Sequence, residues 1–87
     1  MKREVVLANV IRIVADQFGF HDDEVTEDTT LDSLNADELD KTELAMEFEN
    51  EFEIEISEDE EESMSSVGQL VDLVMGKLEA KTQAKGG

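Results

Sequence analysis

Residues 37–56 read DELDKTELAMEFENEFEIEI, and the spacing of their apolar residues decides the fold. Asp37 is a residue that caps a helix, since its side chain can accept a hydrogen bond from a backbone N–H of the first turn. Projected at about 100° per residue with Leu44 at zero, Phe48 falls near 40° and Phe52 near 80°. These three form one stripe that should face a core. On the same projection Leu39 and Met46 fall near 220° and 200°, on the opposite side, with Glu43, Glu49, Asn50 and Glu53 around them. A helix with a buried aromatic stripe and, behind it, two large apolar side chains in an acidic ring suits docking to a basic, partly apolar partner. The plainer alternative is a solvated face carrying isolated apolar residues, which are common on protein surfaces.

Outward from this helix the chain keeps a helical period. Val6, Val10 and Ile13, with Leu7, Ile11, Val14 and Phe18, give a stripe over residues 3–18 that should end near Gly19. From Phe20 to Ala36 the pattern fails and Asp, Thr, Ser and Asn accumulate, which predicts a long irregular loop of the kind that often has a function. Ser57 with Glu60 is a capping box for a short third helix. Ser66 with Gln69 repeats the signal ahead of Val67, Leu70, Val71, Val74 and Leu78. The reading is all-α: a small four-helix bundle, three longer helices and one short, with a long first loop. Residues 1–78 should form the single domain and residues 79–87 a flexible tail with little to bury.

Composition limits the function. The chain has 87 residues, 24 acidic against 7 basic, for a formal charge of −17. Repulsion between like charges disfavours nucleic acid and anionic membrane, and it favours basic protein surfaces or cations. There is no cysteine, hence no thiolate metal site or disulfide. No apolar run approaches the roughly 18 residues of a membrane span, so a cytoplasmic monomer is expected. His21 precedes Asp22 and Asp23 but has no evident nucleophile or metal partner, so no catalytic residue and no metal ligand is assigned.

At the level of motifs the chain resembles the acyl carrier protein family. The resemblance runs from about residue 4 to residue 78. It rests on the first amphipathic helix, Glu24-Val25-Thr26, the long loop, Ala36-Asp37-x-Leu39-Asp40-x-x-Glu43-Leu44, Glu51-Phe52-Glu53-Ile54-Glu55-Ile56 and Ser65-Ser66-Val67. It implies a four-helix bundle whose serine, in an Asp-Ser-Leu triplet at the start of the second helix, carries a phosphopantetheine arm. It also implies that the arm's thiol holds an acyl chain as a thioester.

Two triplets compete for that place, Asp32-Ser33-Leu34 and Asp37-Glu38-Leu39. The family's serine lies five residues before the glutamate of the Glu-Leu pair and fourteen before the phenylalanine of Phe-x-Ile-x-Ile. Counting back from Glu43 and from Phe52 reaches position 38 both times, and position 38 is glutamate. A phosphopantetheinyl transferase needs a hydroxyl to attack the pyrophosphate of coenzyme A with magnesium assistance, which a carboxylate does not supply. Glu38 is nevertheless good helix chemistry, a negative charge at the positive end of the dipole. No cofactor is therefore expected at position 38, and phosphopantetheine enters only if Ser33, five residues early, is used instead.

The resemblance further implies partner contacts: charged ones from Asp37, Asp40, Glu43 and Glu49, apolar ones from Leu39 and Met46. The partners implied are basic surfaces of acyl-transfer or synthase enzymes in fatty-acid, polyketide or lipid biosynthesis, and a phosphopantetheinyl transferase. Thr42 stands where the family has an aliphatic residue and Asn50 where it often has an acid. Two alternatives of other classes are a working carrier modified at Ser33 and an acidic divalent-cation binder using the Glu58–Glu62 run.

Overall fold

The chain begins with α1, Arg3–Phe18, which buries Val6, Val10, Ile13, Val14 and Ala15. A computed structural model describes residues 1–86, with side chains described through residue 81. Gly19 ends α1 at φ 77°, a left-handed turn that costs glycine nothing, and its N–H donates to the Ala15 carbonyl. α2 is Glu38–Phe52, α3 Glu58–Glu62 and α4 Val67–Gly86. α1 packs on α4 and α2, and α2 packs on α3 and α4. The all-α bundle of three longer helices and one short helix is as the periodicity requires.

One core joins the elements. Leu44, Phe48 and Phe52 of α2 meet Val67, Leu70, Val71 and Val74 of α4, and no polar side chain is buried among the described residues. The rings of Phe48 and Phe52 lie 6.5 Å apart at a 45° tilt. Ile54, Ile56 and Met64 close the end of the core near α3. Leu39 and Met46 are 66% and 57% exposed, so the projected faces of α2 are the observed ones. α4 continues past Leu78 through Glu79, Ala80 and Lys81, and the Lys81 ammonium donates to the Glu53 carbonyl at 2.9 Å. The rest of the expected tail, residues 82–87, lies outside the residues whose side chains are described.

The long first connection is held down at its far end. A short 3₁₀ turn, Asp22–Glu24, was not foreseen from the sequence. Beyond it Val25 and Leu31 are buried and Leu34 packs against the core. The Thr29 carbonyl accepts from the Val67 N–H at 2.9 Å and the Glu27 carbonyl from the Gly68 N–H at 2.9 Å. The loop thus satisfies donors in the first turn of α4 that have no partner inside the helix. Leu31 N–H completes the strap by donating to the Ser65 carbonyl at 2.7 Å. A Cβ on Gly68 would come within 3.1 Å of the Glu27 side chain, so glycine admits the close approach. Arg3 ties the same region from α1 by pairing with Glu27 and Asp72.

α3 consists of five acidic residues and buries none of them. Its hold on the bundle is polar. Ser57 and Glu60 form the capping box the sequence suggests, and the Glu60 carboxylate also meets the Lys77 ammonium of α4 at 2.7 Å. Lys77, followed by the Ser57 N–H, holds the Glu60 carboxyl below its ordinary 4.5. A depressed carboxyl contributes stability that is present above the ordinary value and lost as pH falls through the folded midpoint. NMR titration should accordingly give Glu60 a midpoint below 4.5 that Lys77→Met moves upward; a midpoint indifferent to that change would remove Lys77 as the cause.

The C-terminus of α2 stores strain. Glu53 takes the left-handed conformation at φ 54° to cap the helix, a place where an L side chain costs about 1 kcal/mol. Glu53→Gly should therefore raise unfolding stability by about 0.5–1 kcal/mol in urea. A loss of stability would show that the Glu53 side chain compensates for its backbone.

Candidate functional site

The head of α2 is built by its own first residues. Asp37 accepts from the Asp40 N–H at 2.9 Å, and Asp40 accepts from the Asp37 N–H at 3.1 Å, a reciprocal box that satisfies two end donors. Glu38 is the first residue inside the helix and is exposed to solvent. Its carboxylate stands at the positive end of the helix dipole. Its carbonyl accepts from the Thr42 hydroxyl at 3.1 Å, and the same hydroxyl donates to the Glu61 carboxylate of α3.

Ser33 is elsewhere. It lies in the turn before α2, where its hydroxyl donates to the Thr30 carbonyl at 2.7 Å and its N–H donates to the Thr30 hydroxyl at 3.1 Å. No helix begins at it, so the support that oriented N–H groups give to a phosphate is absent there.

Residues 8–74 match the family model described as the phosphopantetheine attachment site. The chain belongs to that family. It is 36% identical over 77 residues, 87% of this chain and 95% of the relative, to the acyl carrier protein of Thermotoga maritima. Its structure is similar to the crystal structure of acyl carrier protein from Thermotoga maritima, with a TM-score of 0.77 at 32% identity, covering 92% of this chain and 94% of the other. The chain is thus a carrier-type domain and not an enzyme.

The six expected partner contacts differ in freedom. Leu39, Glu43 and Met46 are exposed on the outer face of α2. Asp37 and Asp40 are engaged with each other's backbone, and Asp40 is half-buried. Glu49 is half-buried, and its carboxylate accepts from the Ile56 N–H at 2.9 Å. It thus fastens α2 to the segment behind it, a contact that helical projection does not reveal. Two grooves flank α2 and escaped the sequence reading. One, of ≈ 470 Å³, lies toward α1 and includes Met46 and Glu43. The other, of ≈ 290 Å³, lies toward α3 and includes Glu38, Lys41 and Thr42. Among the described residues no group of three or more His, Cys, Asp or Glu side chains is placed to hold a metal ion. No helix of the described residues is long and apolar enough to cross a membrane.

Proposed function

We propose that this chain is an acyl-carrier-type interaction module, which docks through the outer face of α2 on basic surfaces of cytoplasmic acyl-transfer or synthase enzymes and does not accept the phosphopantetheine arm at position 38. The observation that carries the reading is the residue at the head of α2. Directly behind the Asp37 cap, where the matched register puts the family's serine, stands Glu38, an exposed carboxylate with no hydroxyl. The group the family carries and the residue present do not fit. The surroundings favour a partner all the same. Leu39 and Met46 stay exposed beside Glu43, and the −17 charge draws cationic surfaces. Glu38 keeps a single negative charge at the place where a phosphate would otherwise sit.

Intact mass spectrometry after incubation with coenzyme A, magnesium and a broad-specificity phosphopantetheinyl transferase tests the reading. The expected result is an unchanged mass. A gain of the arm's mass that disappears in Ser33→Ala would overturn it and make the turn serine a carrier site. The docking half is tested separately, by the salt dependence of binding to the same transferase without coenzyme A. Affinity should fall steeply with ionic strength and fall again in Leu39→Ala.

A further inference from the structure

Glu38 stands where the register from Glu43 and Phe52 puts the family's attachment residue, and the fold makes no use of its side chain. Its carboxylate forms no hydrogen bond or ion pair among the described residues, whereas the neighbouring acids Asp37 and Asp40 are engaged in the cap. A carboxylate cannot stand in for the serine hydroxyl in arm transfer, but it brings a different capacity. Once activated, its carboxyl carbon is an acyl centre, so the protein can be the acyl half of a bond and the cargo the amine half.

The groove between α2 and α3, of ≈ 290 Å³, suits an amine that carries a second positive charge. Glu58 and Glu62 line it from α3 and are exposed, with no hydrogen bond or ion pair from their side chains among the described residues. Glu61 adds a carboxylate that accepts from the Thr42 hydroxyl. The one cation lining the groove is the half-buried Lys41, three residues after Glu38 and therefore on the same face of α2. An amide at Glu38 would remove one of the four acids and leave three facing Lys41, so the loaded groove would still attract a cation.

We propose that Glu38 is itself an attachment residue, on which a separate ATP-dependent carboxylate–amine ligase loads a diamine, one nitrogen bonded to the Glu38 carboxyl as an amide and the other held as an ammonium by Glu58 and Glu62. In the first step a Glu38 carboxylate oxygen attacks the terminal phosphorus of ATP, ADP leaves, and an acyl phosphate forms. The N–H groups of the first turn of α2 and the Lys41 ammonium offer positive charge to that phosphate. In the second step the free amine attacks the acyl carbon, the bond to the phosphate oxygen breaks, inorganic phosphate leaves, and the surplus amine proton passes to water. The inference rests on the reading that Glu38 holds the attachment position without taking the arm, and it names what is taken instead.

The test incubates the full chain with magnesium, ATP and isotopically labelled putrescine in a soluble extract of the cells that produce it, followed by peptide mass spectrometry. The expected result is a gain of putrescine less one water on the peptide containing Glu38, dependent on ATP, absent in Glu38→Gln and kept in Ser33→Ala. Glu58→Gln combined with Glu62→Gln should lower putrescine loading by roughly threefold to fivefold, the worth of one exposed charge pair, and leave butylamine loading unchanged. No ATP-dependent label, a label on other acids that survives Glu38→Gln, or a bare loss of water from closure of Glu38 on Lys41 would each overturn the proposal. Equal loading of putrescine and butylamine, indifferent to the double variant, would overturn the diamine as cargo. A parallel sample given coenzyme A and the transferase separates the two readings: arm attachment there that disappears in Ser33→Ala removes the reading beneath the inference, and an unchanged mass there with no amide on Glu38 removes the inference alone.

Discussion

Phe48→Ala should leave the domain unfolded or close to it at room temperature, whereas Met46→Ala, two positions away on the same helix, should leave stability within about 0.5 kcal/mol of the parent. Phe48 is fully buried in the core and its ring centroid lies 6.5 Å from that of Phe52. Truncating such a side chain removes its transfer free energy and opens a cavity, about 3–5 kcal/mol together. A chain of this length has a stability of about 4–13 kcal/mol on the usual per-residue range. Mutual repulsion among 24 acidic side chains places it toward the lower part of that range at low ionic strength. The loss therefore takes most of what is available. Urea unfolding followed by far-ultraviolet circular dichroism, run in moderate salt, reads both variants. Similar midpoints for the two would contradict the packing of α2 described above.

That contrast is legible in the sequence because both positions obey a local rule. Side chains one helical turn apart share a face, so Leu44, Phe48 and Phe52 had to point together and Leu39 and Met46 away. The caps at Asp37, Ser57 and Ser66 are equally local, each a side chain reaching a backbone N–H three residues on. Contacts distant in sequence were another matter. No periodicity links Thr29 to Val67, Glu60 to Lys77 or Thr42 to Glu61. Thr42 was legible only as a departure from an aliphatic position. Its reason is the hydroxyl, which bonds back to the Glu38 carbonyl and across to α3. Glu49 shows the same limit from the other side. A projection placed it with the exposed acids, but Ile56 returns beneath the end of α2 and takes its carboxylate into the fold.

Glu38→Ser should turn the chain into a substrate for a phosphopantetheinyl transferase. The nucleophile is the missing part, and the structure holds the other parts in place without it. The cap that starts α2 belongs to Asp37 and Asp40, whose hydrogen bonds do not involve the Glu38 side chain. Leu39, Glu43 and Met46 stay exposed for the enzyme to dock on, and the N-terminal N–H groups of α2 remain available to an anion. Stability should change by less than about 0.5 kcal/mol, because position 38 is solvent-exposed and serine is tolerated at a helix start. The measurement is an intact mass on four proteins treated identically with coenzyme A, magnesium and the transferase: the parent, Glu38→Ser, Ser33→Ala and the double variant. The two proteins carrying Glu38→Ser should gain the arm, and the other two should not. Equal modification of the parent and of Glu38→Ser, abolished in both backgrounds by Ser33→Ala, would move the site to the turn and show the register from Glu43 and Phe52 to be misplaced. No modification of any of the four, with every variant folded, would show that a hydroxyl at position 38 is not the only missing part and would count against the register from Glu43 and Phe52.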